Sequence, residues 1–187
     1  MSADAAAAAL GAPGAPGAPA PDPVAHHLTA TLEAASGADP AARRAADDAL
    51  QGLAKSDFPS YVLSLAAEVG SSDRPTDTRR VAALMLKNAL SSRSAATREE
   101  LRAKWMEAVP AATRGAIKAA LTEVVTRHPD PAVRRGAAQA AAKIAAAEVP
   151  RGAWPELVPA LLAAAAETAA EAAAAAATAG GDRKSVV

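Results

Sequence analysis

"DPAVRRGAAQAA", from Asp130 to Ala141, is the third occurrence of a pattern that sets the architecture of this chain. Earlier copies are "DPAARRAADDAL" from Asp39 and "DTRRVAALML" from Asp77. Each places Arg-Arg-x-Ala, beginning at Arg43, Arg79 and Arg134, with spacings of 36 and then 55 residues. One additional helix, centred on "TREELRAKWMEAV", accounts for the longer second interval. Recurrence near 40 residues with helix-turn-helix units predicts an α-solenoid, in which each pair of helices buries its apolar face only against its neighbours.

Composition agrees with helices stacked closely. Of 187 residues, 59 are Ala and only 36 are larger apolar residues, so the hydrophobic fraction of 51% overstates the bulk available for a core. Net charge is zero, which removes the self-repulsion that usually accompanies disorder. Alanine is the strongest helix former and lets helix axes approach closely. The expected architecture is therefore all-α, with thin, tightly spaced layers. Without cysteine, disulfides and zinc–thiolate sites are excluded. A pI near 6.8 gives no general attraction to nucleic acid or anionic membrane. No run reaches 18 consecutive large apolar residues, so no bilayer span is expected. The first 20 residues lack Arg and Lys, which argues against a secretory or mitochondrial leader and for a location in cytoplasm, nucleus or both.

Local signals place the helices at about 24–35, 39–55, 58–70, 75–93, 97–108, 111–127, 131–148 and 154–166. Asp39-Pro40 and Asp130-Pro131 put a side-chain acceptor at N-cap and a proline at the next position, where no N–H is needed. Thr97-x-x-Glu100 has the spacing of a capping box. Three repeats follow, 24–55, 58–93 and 111–148, with the inserted helix between the second and third and residues 154–166 opening a fourth. The Arg-Arg helices are expected to form the inner layer. Asp39 with Arg43, and Asp130 with Arg134, stand four apart and are expected to pair. Residues 1–23, with three Gly-Ala-Pro triplets, are expected to be a disordered arm.

Within "IAAAEVPRGAWPELVPALL" (144–162), Pro150 is expected to end a helix and Pro155 to sit in the first turn of the next. Trp154 between them supplies bulk that the surrounding alanines lack, and is expected to wedge a packing corner. Beyond it, Leu157, Val158, Leu161 and Leu162 are expected to lack a full partner. Catalysis finds no support. His26, His27 and His128 have no metal-ligand spacing, and "GAPGAPG" lacks the Lys-Ser/Thr of a phosphate loop. Neither an enzyme nor a cofactor is expected.

"KSDFPSYVLSLAAEV", "RRVAALMLKNALSSR" and "AAEVPRGAWPELVPALL" together resemble the N-terminal region of the importin-β (karyopherin-β) family of nuclear transport receptors. The resemblance covers about residues 24–166 and keeps the order of the motifs. It implies a HEAT-repeat superhelix of about three and a half repeats. It further implies binding of the GTP-bound small GTPase Ran by inner helices, with Lys87, Asn88 and Arg93 as the contact residues. Arg80, Lys87, Ser91 and Ser94 share one polar face at helical spacing, which suits such a surface. The same resemblance implies cargo or an importin-α adaptor, and nucleoporins, as partners of the whole receptor. It implies residence in cytoplasm, nucleus and nuclear envelope, with no nucleic acid bound and no insertion into a membrane. A generic scaffold binding another protein on its concave face is the alternative. Past residue 166 the resemblance stops. The tail 167–187 is alanine-rich and closes on "DRKSVV", a sequence that a common sequencing adapter encodes, so it is expected not to be the natural terminus.

Overall fold

The computed structural model describes residues 23–181, with side chains described from 28 to 176. The expected N-terminal arm and the closing "DRKSVV" lie outside the described residues. Eight α-helices follow in order: α1 Pro23–Ser36, α2 Pro40–Ser56, α3 Phe58–Gly70, α4 Thr76–Ala89, α5 Ala95–Ala108, α6 Ala111–Arg127, α7 Pro131–Glu148 and α8 Leu157–Gly181, with a short 3₁₀ turn at Val149–Arg151. Among the described residues there is no strand.

Capping chemistry explains most of the boundaries. Asp39 Oδ1 accepts from Ala41 N at 2.9 Å and Asp130 Oδ1 from Ala132 N at 2.7 Å, each with proline at the start of the helix. Asp57 does the same for α3 through Ser60 N at 3.1 Å. At α5 the structure corrects the expected capping box. The helix begins at Ala95, and Ser94 rather than Thr97 is the cap, its Oγ accepting from Thr97 N. Likewise α4 stops at Ala89 instead of running to residue 93. Leu90 turns inward to the core, and the serines that follow bond locally, Ser94 N to Ser92 Oγ at 3.2 Å.

Helices α3 and α4 form one antiparallel pair and α6 and α7 the next. Across pairs α3 lies along α6 and α4 along α7, giving two layers, and α8 joins the first layer beside α6. This is the expected solenoid. Ala82 and Ala83 of α4 and Ala137, Ala140 and Ala141 of α7 are all buried, and Gly136 of α7 approaches Ala83 so closely that an added Cβ would stand 3.0 Å from the Ala83 Cβ. Bulk comes from single large residues set among them: Leu65, Leu86, Trp105, Ile117, Leu121 and Ile144 are fully buried.

The first repeat departs from the expected layering. Its Arg-Arg helix, α2, packs on α1 and α3, while α1 takes the place beside α4. In this arrangement α1 buries Leu28 and Leu32, while α2 buries Ala46 and Leu50 and packs Leu53 partly against the core. The Asp–Arg pairs expected four apart do not form either. Both aspartates are occupied as caps, Arg43 is exposed, and Arg134 Nη1 donates to the carbonyl of His128 at 2.7 Å. Arg79, at the matching position of α4, donates through Nε and Nη2 to Val69 O at 3.0 and 2.9 Å. These arginines cap the C-terminal end of the preceding helix.

Leu157–Ala176 within α8 has the length and mean hydropathy, 1.4, of a membrane span, although it contains no run of large apolar residues. Its apolarity is largely alanine, and it carries Glu167 and Glu171, which a bilayer interior penalises. Val158, Leu161 and Leu162 on this helix are exposed, as expected, whereas Leu157 packs partly against the core.

Candidate functional site

Two places gather polar side chains: the open face at the end of α4, and the corner after α7. At the first, Lys87 lies half-buried in the last turn of α4, with Asn88 exposed beside it and Arg93 exposed in the turn to α5. Among the described residues, none of the three side chains makes a hydrogen bond or ion pair within the chain. Asn88 is thus not a buried amide satisfied inside the stack. The polar face expected to run from Arg80 to Ser94 is shorter than the sequence spacing implies, because Ser91 and Ser94 lie beyond the end of the helix. Arg80 is engaged with Asp77 at 3.1 Å. Sequence reasoning missed Leu84, 46% exposed on the same helix, and Gln139 of α7. With Arg80 and Gly136 they line a shallow groove of about 280 Å³ between α4 and α7. Only the pairing of α4 with α7 brings them together.

The corner is built around a residue that sequence reasoning passed over. Glu148, the last residue of α7, is completely buried. Its Oε1 accepts from Trp105 Nε1 at 2.9 Å and from Arg114 Nε at 3.1 Å. Its Oε2 accepts from Lys118 Nζ at 2.5 Å. One carboxylate therefore ties together α5, α6 and α7. Lys118 also donates to Ala153 O at 2.6 Å and lies 5.7 Å from the Trp154 ring centroid. Arg114 Nη1 additionally caps Met106 O and Val109 O at 2.9 and 2.6 Å, closing the end of α5. A signal was present. Ala137, Ala141, Ile144 and Glu148 fall at helical spacing on the buried stripe of α7, so periodicity puts the carboxylate inside. "AAEV" also occurs at 66–69, where Glu68 is again buried and accepts from Thr29 Oγ1 at 3.1 Å.

Trp154 is buried, as expected of the corner, but the prolines act differently. Val149 keeps helical angles, φ −60° and ψ −43°, in spite of Pro150, and the chain tightens into the 3₁₀ turn. Gly152 makes the actual stop. Its φ of +65° is the left-handed conformation open to glycine, and Gly152 N and Ala153 N donate back to Val149 O and Glu148 O, both at 3.0 Å. Pro155 precedes α8 rather than lying in its first turn; the helix opens at Leu157, with Glu156 O accepting from Ala160 N at 3.1 Å.

Residues 46–127 match the family described as the importin-beta N-terminal domain. This chain carries an importin-beta N-terminal domain. It is 34% identical over 140 residues to importin subunit beta-1 of Arabidopsis thaliana, covering 75% of this chain, and 30% identical over 118 residues to that of Schizosaccharomyces pombe, covering 63%. It spans 16% and 13% of the length of those relatives. Among solved structures, importin beta crystallised in an ammonium sulfate condition superposes with a TM-score of 0.68 at 34% identity, over 72% of this chain and 16% of that one. A structure of Kap95p with RanGDP gives 0.69 at 26%, over 72% and 16%, and a Kap95:Nup1 complex 0.67 at 27%, over 71% and 15%. The importin-beta relationship agrees with the HEAT-type stacking of α3, α4, α6 and α7.

Proposed function

We propose that this importin-beta-type chain acts in nucleocytoplasmic protein import by binding the GTP-bound form of the small GTPase Ran. Lys87, Asn88 and Arg93 are its contact residues. The observation that carries this reading is the end of α4, where a cation and an amide are adjacent and neither has a hydrogen-bond or ion-pair partner among the described residues. Such groups are available for charge-assisted hydrogen bonds to an acidic surface without first breaking internal ones. Kap95p, which shares this fold, has been solved with RanGDP in the context of nuclear import complex assembly. Nucleoporins are proposed as further partners, by analogy with the Kap95:Nup1 complex. Cargo or an importin-α adaptor engages the whole receptor, and the corresponding location is cytoplasm and nucleus, including the nuclear envelope. The chain is a carrier, not an enzyme, and needs no cofactor.

Nucleotide-dependent pull-down tests the reading. Ran loaded with a non-hydrolysable GTP analogue is expected to be retained, and Ran-GDP far less. Lys87→Glu is expected to weaken retention at least tenfold while far-UV circular dichroism stays unchanged. Equal retention of both nucleotide forms, or none by a folded sample, favours a general protein-binding scaffold instead. Loss of helicity in Lys87→Glu would assign Lys87 to the stack.

A further inference from the structure

His128 follows the last residue of α6, and both of its ring nitrogens are engaged. Nε2 stands 2.6 Å from Arg79 Nη1 of α4. Nδ1 stands 3.0 Å from Asp130 N and 3.4 Å from Asp130 O, where the chain turns into α7. A guanidinium carries donors only, so the Arg79 contact requires a lone pair on Nε2. The single proton of a neutral imidazole then lies on Nδ1, where it opposes an amide instead of a cation and has Asp130 O as acceptor.

This contact joins successive helix pairs. Arg79 also donates through Nε and Nη2 to Val69 O, so one guanidinium spans the end of α3 and the end of α6. Charged groups approach from every neighbouring helix. Glu68 of α3 and Asp130, the cap of α7, exert their charge on Arg79. Glu123 of α6 is paired with Arg127, and Arg134 of α7 donates to His128 O. Glu167 and Glu171 of α8 line a cleft of about 630 Å³ that His128 also lines. Among the described residues no carboxylate contacts the ring. A proton arriving at Nε2 therefore meets a guanidinium and no counter-charge. Part-buried His128 reaches solvent through the cleft.

We propose that His128 is a proton-operated latch between the α3–α4 and α6–α7 pairs. Imidazole is the side chain that ordinarily changes charge between about pH 5 and 8. Uptake of a solvent proton at Nε2 removes the acceptor and sets imidazolium against guanidinium. Arg79 then parts from His128 while keeping Val69 O, and the joint between the two pairs loosens. Loss of the proton closes it again.

NMR of the full chain tests the latch. Ring-nitrogen spectra are expected to show Nε2 of His128 without a proton at about pH 7.5. Overhauser contacts between the His128 ring and the Arg79 side chain are expected to fall at least threefold by about pH 5.5, in step with proton uptake by the ring, and to recover on return. His128→Gln retains an acceptor that takes up no proton, and its Arg79 signals are expected to stay constant over the same range. A ring that stays unprotonated at about pH 5.5, contacts that survive protonation, or an equal change of the Arg79 signals in His128→Gln overturns the proposal. The wild-type titration stands by itself if the variant misfolds.

Discussion

Replacing Glu148 by alanine tests the view that one buried carboxylate holds three helices together. The side chain is 0% exposed and receives an indole N–H, a guanidinium and an ammonium. Its removal leaves Arg114 and Lys118, at 16% and 15% side-chain exposure, facing a site without counter-charge. Breaking a buried ion pair on one side costs about 3–5 kcal/mol. The lower end applies here, because Arg114 keeps Met106 O and Val109 O, and Lys118 keeps Ala153 O. A loss of about 3 kcal/mol corresponds to a fall in melting temperature of about 6–12 °C for a chain of this size. Urea and thermal unfolding followed by circular dichroism at 222 nm measure it. Trp105→Phe removes the N–H while keeping most of the ring, and the double variant completes a cycle whose coupling is expected to exceed about 1 kcal/mol. A Glu148→Ala loss below about 1 kcal/mol, or a coupling near zero, would refute the reasoning.

Two further outcomes follow from the seams and caps. A Cβ on Gly136 would meet Ala83 Cβ at 3.0 Å, and neither atom can swing away. Gly136→Ala is therefore expected to lose about 1 kcal/mol, overpacking outweighing the gain in helix propensity, and Ala83→Gly in the same chain to recover stability; a higher melting temperature for Gly136→Ala alone would show that the seam yields. Hydrogen bonds from Ser60 hold the Asp57 carboxyl below its ordinary value of 3.8. A depressed folded-state pKa stabilises the fold above the unfolded value and loses that contribution as pH falls through the folded one. Asp57→Ala is thus expected to flatten the stability profile below about pH 4, checked by urea titrations between pH 5 and 2.5; an unchanged acid slope contradicts the cap's role.

What the sequence by itself determined is local and periodic. Asp-Pro at 39 and 130, the alanine-rich stripes and the recurrence of Arg-Arg encode helix starts, close seams and pairing, because each acts within one helix or between sequence neighbours. Trp154 was legible as a corner for the same reason. Only the tertiary structure decided the rest. Glu148 acquires its partners from residues 30 to 43 positions away, Arg79 caps the end of the preceding helix, and Arg134 does the same instead of pairing with Asp130. The placing of α1, not α2, beside α4 is a choice between helices that each carry two leucines. Spacing along one helix cannot reveal such choices, since a charged side chain selects among partners that exist only once the layers have assembled.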